Sequence, residues 1–373
     1  MKILCLLSHP AQFYFFKNTI TRLRELGDTV TVLIKTKDIL EELLNETGWE
    51  YENILPVVRG KSRRAIIGSL LKRDDKVLQI TRKTKADLLM GSDASLAHAA
   101  KLLGKPCLSF TEDDYAVIHY LADLTFPFTR HIITPEICDV GKWESKKIGY
   151  KGYMKLAYLH PDYFTPDRSK VNIPVNKPYY LIRLSGLNAH HDFGIKGISK
   201  EVLRKIIEML SETGNVFINS EIRSSYCFPD LHIDFPPIDI HHYLNYAEML
   251  VSDSQSMSME AAMLGTPSIR ISDFSGRISV LEELEKKYSL TYGVKPSDEQ
   301  GIFDTVNKLL NMPDRKEIFQ ARRKKMLNDK IDVTAFLTWF IHDYPASAIV
   351  MKKLPEFQYK FGVRSSEFGV KMS

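Results

Sequence analysis

At 373 residues the chain exceeds one ordinary hydrophobic core and suits two domains of roughly 150 to 200 residues each. Hydrophobic residues make up 44% and charged residues 26%, which excludes a disordered chain. The formal charge of +5 favours anionic ligands or an acidic membrane surface and is too small for a nucleic-acid-binding signature.

In chain order, residues 2–7 form a β-rich run, and residues 13–26 carry Phe13, Phe16, Ile20 and Leu23 at helical spacing, with Gly27 where glycine ends helices. A strand (29–34), a helix (38–46) and a strand (49–55) follow, and a basic stretch, 59–64, leads into an amphipathic region reaching residue 83. Next come a strand (87–90), a helix (94–103), a strand (106–110), and 131–134, the last strand expected of the first half. This alternation predicts parallel βαβ units with right-handed crossovers, in an open sheet covered on both faces.

Residues 158–178 break the rhythm with Pro161, Pro166, Pro174 and Pro178. Proline fixes φ and removes a backbone donor, so this stretch reads as an irregular connection. The rhythm then restarts with strands at 179–184, 216–219, 249–252 and 268–271 and helices at 200–210, 240–246 and 258–264, followed by helical stretches at 298–310 and 316–327. The predicted organisation is α/β: a Rossmann-like domain over residues 1–165, a second over 175–330, and residues 331–373 as a C-terminal helix crossing back, plus a tail. Two such domains are expected to face across a cleft at the carboxyl ends of their sheets, where open α/β sheets bind ligands, with the linker as a hinge.

Cys5, Cys107, Cys138 and Cys227 lack the short spacings of zinc or redox motifs and are expected to be reduced and structural. The opening MKILCLLSHP has too short an apolar run for a signal peptide, and no segment approaches the ~18 to 20 apolar residues of a membrane span. A cytoplasmic, soluble protein is expected, with contact at the inner membrane face left open.

The most informative stretch is SDSQSMSMEAAMLGTP, residues 252–267. Small polar residues open a helix there, so free backbone amides and the positive end of the helix dipole face the preceding loop, as an anion site requires. Ser254, Ser256 and Ser258 carry hydroxyl donors for phosphate oxygens, and Glu260, expected in the first turn, can accept both hydroxyls of a ribose. Serines as mere helix caps remain the alternative.

His9, in the loop after the first strand, faces the expected ligand edge and titrates near neutral pH, or else simply bonds backbone. Asp93 follows one strand and Glu112 the next, so both carboxylates should emerge on one sheet edge near His9. Crowded carboxylates have separated pKa values, which suits acid–base roles; Asp93 and the neighbouring Asp113 and Asp114 are equally apt as helix caps. Residues 183–197 form a glycine-punctuated polar loop in which Arg183 and Lys196 can neutralise a diphosphate, and which holds His190 and His191. His241-His242 reads as a helix start near a nucleotide base, and Arg270 and Arg277 flank the serine-rich loop. The run Lys61-Ser62-Arg63-Arg64, backed by Ile66, Ile67, Leu70 and Leu71, fits either a solvated helix or docking on an acidic membrane carrying a lipid acceptor. Residues 336–344 read as a packing helix.

The 252–267 segment resembles the donor-binding motif shared by glycosyltransferase-B (GT-B) enzymes and non-hydrolysing UDP-N-acetylglucosamine 2-epimerases, a polar loop entering a helix with Glu-Ala and ending Leu-Gly-x-Pro. The resemblance implies that Ser254, Ser256, Met257 and Ser258 bind a diphosphate and Glu260 a ribose. The epimerases carry Ser-Gly-Gly where Ser254-Gln255-Ser256 stands here, and these side chains are expected to narrow the diphosphate approach.

Across most of the chain the sequence resembles the domain-of-unknown-function 354 (DUF354) family of the GT-B superfamily. The carriers are Ser8-His9-Pro10-Ala11 with Phe15-Phe16, Thr134-Pro135-Glu136, YKGYMKLAYLHP at 150–161, Arg183 with His191-Asp192 and Gly194, and Gly265-Thr266-Pro267-Ser268-Ile269-Arg270. The family name carries no reaction. The epimerases place an aspartate and a glutamate where Asp93 and Glu112 stand, and a histidine-arginine loop meeting donor phosphates where His190 or His191 stands. The Arg-Glu that follows in that loop is Asp192-Phe193 here, a departure from epimerase chemistry.

The resemblance implies a GT-B-like fold and a nucleotide-sugar-dependent glycosyltransferase with a UDP-linked donor and a glycan or lipid-linked acceptor, in glycan or surface polysaccharide synthesis. It implies no metal and no cofactor beyond the nucleotide-sugar substrate. The alternatives are a UDP-N-acetylglucosamine 2-epimerase-like enzyme and a non-catalytic nucleotide-sugar binder.

Overall fold

The structure is a computed structural model that describes residues 1–36, 39–56, 63–173, 177–185, 198–220 and 228–362. The chain divides into two compact units, Met1–Tyr158 with Asn328–Ser373, and Leu159–Leu327.

In the first unit the strands are β1 (Lys2–Leu7), β2 (Thr29–Lys35), β3 (Glu52–Leu55), β4 (Leu88–Gly91), β5 (Cys107–Phe110), β6 (His131–Pro135) and β7 (Lys147–Tyr150). They form one sheet in the order β3-β2-β1-β4-β5-β6-β7, with every pairing parallel. Between them run α1 (Pro10–Glu25), α2 (Leu40–Glu46), α3 (Arg63–Thr84), α4 (Ala94–Leu102) and α5 (Tyr115–Thr125), with α6 (Leu156–Leu159) after β7.

In the second unit β8 (Tyr179–Leu184), β9 (Asn215–Ser220), β10 (Met249–Ser252), β11 (Ser268–Ile271) and β12 (Thr291–Val294) form a parallel sheet in the order β12-β11-β10-β8-β9. Its helices are α7 (Lys200–Ser211), α8 (Ile240–Tyr246), α9 (Gln255–Leu264), α10 (Ser279–Lys286), α11 (Glu299–Leu310) and α12 (Arg315–Asp329). The chain then returns to the first unit as α13 (Val333–His342) and α14 (Ala346–Lys353). There Thr334 Oγ1 donates to the Ala157 carbonyl at 2.7 Å and the Phe336 ring lies 5.9 Å from that of Tyr150.

Every residue of β4, β5, β10 and β11 is buried, as strands covered on both faces must be. Leu4, Leu6, Leu33, Leu89 and Val77 join one core cluster beneath the first sheet. At Gly91 a side chain is impossible without rearrangement, because a Cβ would sit 2.6 Å from the Leu6 carbonyl oxygen.

The fold is the expected α/β class, with corrections in detail. The last strand of the first sheet is β7 rather than β6; its alternating burial marks a one-sided edge strand, too short and polar to signal itself. The structure adds the helices α5 and α10 and the strand β12 to the expected elements, although α10 is plainly amphipathic, burying Val280, Leu281 and Leu284. α1 starts at Pro10, because His9 caps it and proline suits the first helical position. α9 starts at Gln255 rather than residue 258, because Ser254 captures the Met257 N–H.

Each strand order reverses once, between β1 and β4 in the first sheet and between β8 and β10 in the second. Helices leave to opposite faces at such a reversal, which opens a crevice at the carboxyl ends of those strands. His9 and Asp93 follow β1 and β4; Ser185 and Asp253 follow β8 and β10.

Candidate functional site

In the second unit, hydrogen bonds lock the reversal point. Ser252 Oγ donates to the Arg183 carbonyl at 3.0 Å and accepts from the Ser254 N–H at 2.9 Å. Asp253 Oδ1 accepts from the Ser185 N–H at 2.7 Å, fixing the point where the chain leaves β8. Arg183 reaches sideways, Nη1 donating to Asn219 Oδ1.

Ser254 is the N-cap of α9, with Oγ 3.4 Å from the Met257 N–H. The first turn therefore opens on half-buried Ser254, Gln255 and Ser256, whose backbone donors have no partner inside the helix. Met257 and Ser258 belong to the helix rather than to a preceding loop, and the fully buried Ser258 hydroxyl donates to the Ser254 carbonyl at 3.0 Å. Glu260 falls in the second turn, not the first, because the helix begins at Gln255. It is buried, with Oε1 3.5 Å from His241 Nε2 of α8.

Gln255 is tied back rather than projecting over the helix start. Its Nε2 donates to Ser272 Oγ at 2.6 Å and its Oε1 accepts from Arg270 Nη1 at 2.9 Å. Arg270, expected beside phosphate or in solvent, is fully buried and faces Glu285 at 3.4 Å and Glu282 at 3.8 Å. Burial lowers its pKa, and the two glutamates oppose that shift. Arg277 lies over the Phe274 ring at 5.5 Å. His242 Nδ1 accepts from the Asp167 N–H at 3.0 Å, and its ring packs 4.9 Å from that of Phe164. Burial, with Lys170 nearby, lowers its pKa. His190, His191 and Lys196 lie outside the described residues, as do Cys227 and residues 61 and 62 of the basic run.

In the first unit, His9, Asp93 and Glu112 follow the adjacent strands β1, β4 and β5 and so share one sheet edge. His9 Nδ1 accepts from the Ala11 N–H at 3.1 Å, which places the proton of the neutral ring on Nε2.

Asp93 caps α4, with Oδ1 accepting from the Ser95 N–H at 3.0 Å and from Ser95 Oγ at 2.6 Å. Its Oδ2 faces Arg73 Nη1 at 2.6 Å and Lys35 Nζ at 3.0 Å. Burial alone would raise its pKa, but Lys35, Arg73 and the Ser95 bonds outweigh it and hold the carboxyl well below the usual range. Glu112 behaves oppositely. Burial raises its pKa, against Lys155 Nζ at 3.4 Å from Oε2 and the Met154 N–H at 2.5 Å from Oε1. Asp114 accepts from the Asp139 N–H at 2.7 Å.

Lys35, Arg73 and Lys155 complete the clusters of the first unit, and no local pattern announces them; His241 and Asp253 stand in stretches that the sequence singles out, but their contacts with Glu260 and Ser185 do not show there. Among the described residues no three His, Cys, Asp or Glu side chains converge as a metal site. Cys5, Cys107 and Cys138 are free thiols, and burial pushes that of Cys107 up to about 12. No helix of the described residues is long and apolar enough to cross a membrane.

A family model described as "Protein of unknown function (DUF354)" matches residues 2–333. No curated protein matches the sequence. Among solved structures, S. aureus MnaA with UDP superposes with a TM-score of 0.69 at 12% identity, covering 93% of this chain and 97% of that one. The UDP-GlcNAc 2-epimerase of Neisseria meningitidis bound to UDP-GlcNAc gives 0.60 at 15%, over 95% and 100%. MurG of Acinetobacter baumannii gives 0.58 at 12%, over 91% and 99%. At these identities the likeness is one of fold, the two-sheet GT-B architecture.

Proposed function

We propose, from the premise that this chain belongs to the DUF354 family of proteins of unknown function, that it is a nucleotide-sugar-dependent glycosyltransferase with a UDP-linked donor. The observation that carries this reading is the start of α9, a serine-capped helix terminus at the strand-order reversal with the buried carboxylate of Glu260 one turn on. Aligned peptide dipoles and unpaired amides there suit a diphosphate, and a carboxylate can take both ribose hydroxyls. Solved relatives in fold carry UDP and UDP-GlcNAc, which supports a uridine nucleotide.

In this reading Ser254 and Ser256, with the first-turn amides of Gln255 and Ser256, hold the diphosphate at a helix start that Met257 and Ser258 build by bonding back to Ser254, Glu260 holds the ribose, and Arg183 with His190 and His191 balances the phosphate charge. The anomeric carbon–diphosphate bond breaks, its electron pair leaves with UDP, and the acceptor oxygen bonds to that carbon. Glu112, with its raised pKa, takes the acceptor proton. His9 donates a hydrogen bond from Nε2, and Asp93 stays ionised and contributes charge. The acceptor class is a glycan or a lipid-linked sugar, as in cell-surface polysaccharide synthesis.

A second reading, epimerisation through elimination and re-addition of UDP, draws on the opposed shifts of Asp93 and Glu112 at one sheet edge. Labelled UDP-sugars separate the possibilities. Acceptor-dependent UDP release marks the transferase, an epimerised sugar without acceptor marks the epimerase, and tight binding without turnover marks a non-catalytic binder. If neither UDP nor any UDP-sugar raises the melting temperature, the donor-site reading fails.

A further inference from the structure

The helix α5 carries apolar side chains outward as well as inward, where Tyr115, Ile118 and Ala122 join a core cluster. Of its residues only Ala122 and Thr125 are buried, while Tyr120, Leu121 and Leu124 are exposed, Tyr120 to 80%. Tyr120, Leu121 and Leu124 fall along one face of α5, and Phe128 stands exposed in the turn that follows it. The last turn of α4 extends this face. His98 Nε2 lies 2.9 Å from the Leu124 carbonyl, its ring lies 4.9 Å from that of Phe128, and Leu102, four residues on, is 73% exposed. A lone exposed leucine is ordinary, but a contiguous apolar stripe marks an interaction surface.

Cations rim this stripe. Lys146 Nζ donates to the Phe126 and Pro127 carbonyls at 2.7 and 2.9 Å, just beyond the end of α5. Lys101 is exposed beside Leu102, and Arg130 is exposed two residues past Phe128, so both cations border the same apolar residues; burial, and then their charges, lower the pKa of Lys146. The only acidic residue of α5, Asp123, is paired with Lys142 at 3.3 Å.

We propose that the α5 face, with its rim of Lys101, Arg130 and Lys146, docks the protein on an anionic lipid bilayer surface. Apolar side chains entering the headgroup region and cations meeting anionic headgroups are the two contributions such binding needs. A second copy is the poorer occupant, because a self-complementary contact would bring two cationic rims together. The inference does not depend on the sugar chemistry.

The test is sedimentation of the full chain with vesicles of phosphatidylcholine alone or of phosphatidylcholine with phosphatidylglycerol, across a salt series. The expected result is binding to the anionic vesicles that weakens as salt rises. Leu124→Ser with Phe128→Ser should weaken it by about tenfold or more, and Lys101→Glu with Arg130→Glu should remove the salt-dependent part. All four positions are exposed, so the variants should keep the wild-type circular dichroism and melting temperature. Absence of vesicle binding at low salt overturns the proposal, as does equal binding to neutral and anionic vesicles. A dimer in solution that Leu124→Ser dissociates, without lipid binding, assigns the face to a second copy and overturns it as well.

Discussion

Arg73 Nη1 lies 2.6 Å from Asp93 Oδ2, and both side chains are buried at the mouth of the first sheet's strand-order reversal. Lys35 meets the same oxygen at 3.0 Å. A residue placed to cap a helix is thereby also the anchor of a buried ion cluster. Replacing it removes one charge and strands another.

Asp93→Asn should therefore destabilise the protein by about 3–5 kcal/mol at pH 7, the cost of leaving a buried guanidinium without its partner. The sign of the pH dependence follows from the lowered folded-state pKa. The contribution is fully present above the ordinary carboxylate value and is lost as pH falls through the lower, folded one. Urea unfolding from pH 7 to pH 3 should show a wild-type decline steeper than that of the variant. Parallel profiles would remove Asp93 as a source of acid sensitivity.

The two nitrogens of His9 can be tested apart. An asparagine oxygen can stand in for Nδ1 and keep the cap on Ala11, whereas a glutamine amide reaches the place of Nε2 and loses the cap. His9→Asn should keep stability while turnover of a nucleotide sugar falls. His9→Gln should lose about 0.5–2 kcal/mol of stability and retain more turnover. Equal turnover in the two variants would leave His9 as a cap alone.

Glu260→Ala should weaken UDP or UDP-sugar binding by about 1–3 kcal/mol, the loss typical of a charged hydrogen-bond partner. Isothermal titration reads this directly. An unchanged Kd would take Glu260 out of the donor site and leave its contact with His241 as packing.

Lys155→Met should raise the pKa of Glu112 further, since the ammonium favours the charged carboxylate against burial. Carboxyl carbon NMR of labelled glutamate follows this without any substrate. Lys155→Arg should restore the wild-type titration. A Glu112 signal that titrates identically in all three proteins would show that the pair has no electrostatic consequence.

Much of this was legible in the sequence because it is local. Period-two and longer apolar rhythms mark strands and helices. The serine cap of α9 and the left-handed Gly265 that ends it (φ 72°) are written in adjacent residues. The shared edge of His9, Asp93 and Glu112 also follows from local rules, since parallel strands put their carboxyl ends together. Arg270 misled because its sequence neighbourhood, SIRI, does not reveal that the glutamates of α10 fold back on it.

By itself the sequence determined the α/β class, the restart of the βα rhythm after the proline-rich break, and the serine-capped start of a helix after a strand. Spacing and capping preferences act within a few residues, so they survive without knowledge of the fold. Tertiary structure decided which charges meet. Lys35 reaches Asp93 from 58 residues away and Asp253 holds Ser185 across 68. It also decided that α5 turns its leucines outward. Those outcomes depend on strand order and on which helix face finds a neighbour, and no local pattern carries that information.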